Sequence, residues 1–295
     1  MSRPSWRMRT IQGALVLSSR LSRKPKLSFA RRVTGLLEKL VRLPAGVDER
    51  VDVIAGVPVR RLTPSGSSPT AVVFHIHGGA YVSGSSQAAR AHARLCVDAG
   101  VEVISVDYRL APEAPFPAAL EDTIAVYAAL CDRPLVVMGE SAGGGLAMST
   151  LQLAGSRGLP MPRALVAIFP WADLTQTSRS FEVNAGRDVL TRSGLTANAL
   201  YYAGDIPLDD PRLSPVHGSF EGFPSTMVMV GTSDSLYDDA RTVASRLRAA
   251  DVDTIYIEVE GGIHGFIALP TPEASRSMDQ VHDFVANIVI GRSAR

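Results

Sequence analysis

The first residues that could do chemistry are a serine and the glycines around it. Gly139-Glu140-Ser141-Ala142-Gly143 has the spacing G-x-S-x-G. Small flanking residues allow a tight strand-to-helix turn that exposes a serine hydroxyl at a helix N-terminus. A glycine-rich turn with a capping serine would show the same letters, so context decides. The motif directly follows the apolar run 135–138 and opens a segment rich in Ala and Leu. A serine hydroxyl is a weak nucleophile until a base takes its proton. Of six histidines, His264 and His282 follow both the serine and a plausible acid, the chain order such an elbow takes. His282 falls mid-helix among exposed-type residues and reads as solvated. His264 lies in Gly261-Gly262-Ile263-His264-Gly265-Phe266, a pliant loop just past the last strand. The base is therefore assigned to His264.

A third residue must orient the imidazole and stabilise its charged form. Asp234 follows strand 226–230 through Gly231-Thr232-Ser233. Asp238 and Asp239 are rivals, but they fit the first turn of the next helix, where acids suit the dipole. Glu258 and Glu260 lie close to His264 along the chain. Attack on a carbonyl creates an oxyanion, which needs fixed N–H donors. His77-Gly78-Gly79-Ala80-Tyr81 follows strand 71–76, and its glycines let backbone N–H groups approach a substrate. Gly78, Gly79 and Ala142 are the candidate donors. His75-x-His77 could also be a zinc pair. No further ligand cluster follows it, so His75 reads as packed core and His77 as a brace for the loop. No metal and no organic cofactor is expected.

These groups need a scaffold that brings distant loops to one edge. Apolar, β-branched runs at 51–54, 57–62, 71–76, 101–106, 135–138, 164–169, 226–230 and 254–259 read as strands. Helical stretches fall near 86–99, 117–130, 142–156 and 236–250, with a last helix marked by Met278, Val281, Val285 and Ile288. This alternation predicts an α/β fold: a mostly parallel sheet with helices on both faces. Two regions break the rhythm. Residues 173–222 form a long insert with helical and turn fragments. Residues 1–46 read as two amphipathic helices. Met8, Ile11 and Leu15 mark the first; Phe29, Val33, Leu36, Leu37 and Leu40 mark the second. Pro25 separates them, Ser28 sits where an N-cap would, and Pro44 stops the second.

Composition narrows the classes further. The chain has 295 residues, 46% hydrophobic and 20% charged, which is ordinary for a globular protein. No apolar run approaches the roughly 20 residues of a membrane-spanning helix. Two cysteines, Cys96 and Cys131, exclude a disulfide scaffold and read as buried free thiols. They suggest a reducing, cytoplasmic compartment. The net charge of +1 hides an asymmetry: residues 1–46 hold eleven Lys and Arg against one acid, leaving 19 basic and 28 acidic residues in the rest. Docking of this basic segment on its own acidic body is the simplest reading. Binding to anionic lipid is the competing one, and no nucleic-acid module appears.

The motifs resemble one family in their order. His77-Gly78-Gly79-Ala80, Asp107-Tyr108-Arg109-Leu110-Ala111-Pro112-Glu113, Gly139-Glu140-Ser141-Ala142-Gly143-Gly144, Asp234 and His264-Gly265-Phe266 are similar to the hormone-sensitive lipase family of α/β-hydrolases. The likeness to its bacterial carboxylesterase branch runs from about residue 46 to 290. It implies the α/β-hydrolase fold, a triad of Ser141, Asp234 and His264, and an oxyanion hole of Gly78, Gly79 and Ala142. It implies a helical cap built from residues 1–46 and the 173–222 insert, with 47–295 as the catalytic domain. The implied substrate is a small ester, short-chain or a lactone, and a homodimer is expected. A non-catalytic ligand receptor on the same fold is the alternative, and the presence of His264 argues against it. Ala80 stands where most members carry a third glycine. Arg109 is expected to pair with Asp107 or Glu113. Tyr81, Trp171, Tyr201, Tyr202 and Phe266 are candidate pocket walls, and plain core is an equal reading of each.

Overall fold

The computed structural model describes residues 4–21 and 27–291. Helices α1 (Trp6–Leu21) and α2 (Leu27–Leu40) lead into strands β1 (Val47–Ile54), β2 (Val57–Pro64) and β3 (Ala71–Ile76). A 3-10 helix (Ser86–His92) and α3 (Arg94–Asp98) precede β4 (Val101–Val106). Then come α4 (Ala118–Leu130), β5 (Leu135–Glu140), α5 (Ala142–Ser156) and β6 (Ala164–Ile168). The insert carries α6 (Ser180–Val183) and α7 (Arg192–Ala203). Strand β7 (Ser225–Gly231), α8 (Tyr237–Ala249), β8 (Thr254–Val259) and α9 (Pro272–Ile290) follow.

The eight strands form one sheet in the order β1-β2-β4-β3-β5-β6-β7-β8. Pairs β1·β2 and β2·β4 are antiparallel, and all later pairs are parallel. Composition explains the layout. β3, β4 and β6 are buried at every position and mostly apolar, as strands covered on both faces must be, and the polar exceptions His75, Glu102 and Ser105 are all hydrogen-bonded. β1 leaves Val51 and Val53 exposed, as an edge strand can. The chain steps from β3 out to β4, then back across β3 to β5. That reversal opens a crevice beyond the carboxyl ends of β3 and β5, where α/β sheets bind ligands. Local signals set the helix ends. Thr271 caps α9 through Ala274 N–H, Pro272 starts it and left-handed Gly291 stops it. Asp238 and Asp239 open α8 and Arg246 and Arg248 close it, each sign suited to the helix dipole.

Among the described residues, several polar contacts join the N-terminal helices to the body. Ser5 donates its N–H and hydroxyl to the Glu273 carboxylate at 2.6 and 2.9 Å. Gln12 reaches the Arg187 carbonyl in the insert, and Met8 is buried. Arg31 forks onto Glu113 and also donates to the Val82 and Ala111 carbonyls. Glu38 accepts from the Ser85 hydroxyl at 2.6 Å. At these points the basic segment does dock on its own body. Of the stripe residues whose side chains are described, Leu36 and Leu40 are 62% and 68% exposed, and Leu15 is also exposed. Arg31 and Glu38 lie seven residues apart on one face of α2, and that face meets the body. Ser28 falls inside the helix, which already begins at Leu27. Pro25 and the side chains of Phe29, Val33 and Leu37 lie outside the described residues.

Two further expectations change. Arg109 pairs with Asp122 and Glu121 of α4. Its expected partners are taken: Asp107 accepts from Ser86 N–H and Oγ, and Glu113 holds Arg31. Cys96 is buried and free as expected, whereas Cys131 is free but partly exposed at the end of α4.

Fold stability rests on the central strands. Phe74→Ala, fully buried in β3, is expected to cost about 3–5 kcal/mol in urea unfolding. Val51→Ala, on the 67% exposed edge face of β1, is expected to stay within about 0.5 kcal/mol.

Candidate active site

Ser141 sits between β5 and α5 with φ 55° and ψ −123°, a backbone region that glycine normally takes. The turn closes because its neighbours have no side chains. A Cβ on Gly139 would lie 2.3 Å from the Gly143 carbonyl oxygen, and one on Gly143 would lie 2.0 Å from the Ile76 oxygen. The strained serine is tied down on both sides. Its N–H donates to the Ile168 carbonyl at 3.0 Å, and its own carbonyl accepts from Gly144 and Trp171.

His264 Nε2 lies 2.9 Å from Ser141 Oγ. Its Nδ1 lies 3.0 and 3.2 Å from the two carboxylate oxygens of Asp234. Asp234 is fully buried and also accepts from Leu236 N–H at 2.8 Å. The loops that carry Asp234 and His264 touch through their glycines: a Cβ on Gly231 would lie 2.2 Å from the Gly262 carbonyl oxygen, which accepts from Ser233 N–H. Burial pushes the His264 imidazole toward neutrality, but Asp234, through charge and hydrogen bond, and the Asp188 charge outweigh it and raise its pKa. Burial pushes the Asp234 carboxyl upward, and His264 holds part of that back. The three residues singled out from the sequence thus form one hydrogen-bonded chain.

The glycine turn after β3 packs against the serine. A Cβ on Gly78 would lie 3.3 Å from Ser141 Cβ. The Gly78 and Gly79 N–H groups donate to no backbone carbonyl or side chain among the described residues, while Val82 and Ser83 N–H both bond to Gly79 O. Ala142 N–H opens α5 directly after the serine. Ala80 adopts φ 53°, a left-handed conformation that glycine takes without strain. His77 braces this turn: Nδ1 bonds to the Gly78 carbonyl at 2.7 Å, and the ring stacks on Tyr108 at 4.2 Å. Burial lowers its pKa to about 4.

The His75-x-His77 pair does not converge, because the two rings have different partners. His75 bonds to Ser105 and to Glu140. Glu140 also meets His92, so one buried carboxylate bridges two imidazoles. Burial acts to raise the Glu140 pKa, and the two histidines reverse it, holding the carboxyl well below its usual range. These three residues have the chemistry to ligate a cation, with ligand-type atoms within 4.8 Å of one another; in the structure the Glu140 carboxylate bonds to both imidazoles beneath the elbow, and His92 Nδ1 has no partner among the described residues.

One histidine falls differently from expectation. His282 is buried, not solvated. Its ring lies 6.4 Å from that of His92, Nε2 has no partner among the described residues, and burial lowers its pKa to about 4. Asp239 is buried too, pushed up to about 7 by burial, and accepts from Ala172 and Asp173 N–H and Ser178 Oγ. Tyr81, Trp171, Tyr202 and Phe266 are core residues, with Tyr81 stacked on Tyr202 at 3.8 Å, whereas Tyr201 is exposed. Sequence reasoning missed Phe169, Asn184 and Asp188. Phe169 sets its ring against His264 at 4.8 Å. Asn184 donates to the Thr232 and Asp234 carbonyls. Asp188 accepts from His264 N–H and Ser235 N–H. Asn184 and Asp188 come from the insert, whose path no local pattern reveals.

The family described as "alpha/beta hydrolase fold" matches residues 73–268. An acetyl-hydrolase of Streptomyces hygroscopicus is 38% identical over 179 residues, spanning 58% of this chain and 60% of that protein. An esterase of Acinetobacter venetianus is 34% identical over 233 residues, covering 75% of this chain and 77% of that protein. Among solved structures, a hormone-sensitive lipase from a metagenome library superposes with a TM-score of 0.91 at 30% identity, covering 98% of this chain and all of that one. Fold and relatives together define a carboxylic ester hydrolase on the α/β-hydrolase fold. The chain belongs to the hormone-sensitive lipase family of these enzymes.

The elbow's glycines give a direct test. Gly143→Ala would press a methyl group onto the Ile76 carbonyl, which the sheet holds in place. The expected result is a large drop in melting temperature with loss of soluble, folded protein. Gly35→Ala, in open space on α2, should leave the melt unchanged or raise it by about 0.5–1 kcal/mol of stability.

Proposed function

We propose that the chain is a serine carboxylesterase that cleaves small esters, short-chain linear or cyclic, through an acyl-enzyme. The observation carrying this reading is the continuous hydrogen-bonded chain from Ser141 Oγ through His264 to the buried Asp234. His264 takes the serine proton as Oγ attacks the ester carbonyl. Gly78, Gly79 and Ala142 N–H groups receive the oxyanion, and the partial positive charge of the α5 N-terminus adds to them. Asp234 holds the ring with Nε2 toward the serine and stabilises the imidazolium formed by proton transfer. His264 then gives the proton to the leaving alkoxide. Water, activated by the same imidazole, attacks the acyl-enzyme and regenerates the serine. For a lactone, the leaving alkoxide stays tethered to the acyl group, and the product is a hydroxy acid.

In this reading, residues 1–46 and the 173–222 insert form the cap over the catalytic domain of 47–295. The Gln12–Arg187 contact between the two segments supports it. The substrate class is supported by relatives named esterase and acetyl-hydrolase. A cytoplasmic location goes with the proposal and is supported by two free cysteines. A homodimer goes with it on family resemblance.

The test is hydrolysis of p-nitrophenyl esters from acetyl to palmitoyl. Turnover is expected on short chains, falling by about 10⁴-fold or more in Ser141→Ala. A fluorophosphonate is expected to label Ser141. A folded parent that neither turns over these esters nor takes the label would overturn the reading in favour of a receptor. The pH profile follows from the raised His264 pKa. The imidazole must be neutral to act as base, so kcat/KM is expected to climb with pH through a midpoint above the ordinary value of about 6.5.

A further inference from the structure

We propose that Asp188, supplied by the insert, is a positioning residue that locks the acid and base loops of the triad together. The inference rests on the serine-esterase reading above. Asp188 is buried, at 3% exposure. One carboxylate oxygen accepts from His264 N–H at 2.9 Å and from its own neighbour Val189 N–H at 2.7 Å. The other accepts from Ser235 N–H at 2.8 Å, one residue after Asp234. One carboxylate thus fixes the main chain of the base and of the residue beside the acid. No Lys or Arg is paired with it among the described residues. Three N–H groups satisfy a charge that would otherwise be costly to bury.

This arrangement has two consequences. The first is geometric. His264 and Asp234 sit on separate loops, after β8 and β7, and their mutual register decides whether Nε2 meets Ser141 Oγ. Asp188 sets that register from a third segment, and Asn184, four residues earlier, adds two bonds to the acid loop. The second is electrostatic. The charged groups facing the imidazole are Asp234, from the loop after β7, and Asp188, from the insert. Both favour the imidazolium that exists while the proton is in transit. The insert therefore supplies part of the triad's support.

The experiment compares Asp188→Asn and Asp188→Glu with the parent, using p-nitrophenyl acetate and fluorophosphonate titration to count competent serines. Asn keeps the shape but removes the charge and turns an NH₂ toward one of the N–H groups. Its expected kcat per titrated serine is about 10- to 100-fold lower, with KM within about twofold. With one negative charge gone from beside His264, the imidazolium is less favoured. The acid limb of kcat/KM should therefore move to lower pH. Glu keeps the charge on a longer arm, so it should leave the acid limb near the parent position while kcat still falls. A kcat per titrated serine within twofold of the parent, with the acid limb unmoved in Asp188→Asn, would overturn the proposal. So would a loss of activity fully explained by fewer titratable serines. Failure of the esterase reading shows separately, as a parent that neither turns over nor titrates.

Discussion

The structure depends on one strained residue. Ser141 holds a left-handed backbone that no β-carbon favours, and it does so because main chain packs against main chain on every side of it. Gly139 and Gly143 nearly touch across the turn, Gly143 lies against the end of β3, and Gly78 packs against the serine itself. A sheet whose central strands are buried on both faces can hold that strain, because its carbonyls cannot move away. The same close approach puts the glycine turn after β3 beside the hydroxyl. One steric constraint therefore fixes the serine and its neighbouring N–H donors together.

Around this elbow the protein buries several carboxylates, each with its own compensation. Glu140 lies between two imidazoles, Asp234 faces His264, Asp239 ties down the start of the insert, and Asp188 accepts three backbone N–H groups. Main-chain donors and histidines, not lysine or arginine, offset these charges. Such partners are short and rigid, so each carboxylate also acts as a geometric anchor. Arginine appears instead at the periphery, where Arg31 fastens α2 to the loops beside the glycine turn. One of the eleven basic residues in the first 46, Arg31, thus meets acidic and carbonyl partners on the body.

Much of this was legible in the sequence. The strands fell close to where apolar, β-branched runs predicted them, since a strand buried on both faces can carry little else. Helix α5 began and ended as read, at residues 142 and 156. Ser141, Asp234 and His264 could be singled out because each follows a strand's carboxyl end through small residues, a local pattern. The amphipathic helices were harder. Their apolar stripe suggested burial, yet among its described side chains Leu36 and Leu40 are exposed, and the polar Arg31 and Glu38 reach the body. His282 looked solvated from its neighbours and proved buried, because exposure depends on what crosses the helix and not on its own residues.

The sequence by itself determined the strand–helix rhythm, the need for glycine at the elbow and the chain order of serine, acid and histidine. Those features rest on backbone sterics and short-range periodicity, which act between residues close in the chain. Only the tertiary structure decided the distances between loops separated by 30 to 123 residues, the pairing of Arg109 with Asp122, and the bridge from Asp188 to the loops that carry Asp234 and His264. Each of these is a directional bond between groups that chain connectivity leaves free to meet many partners. Sheet order and the path of the insert remove that freedom, and neither is written in any local run of residues.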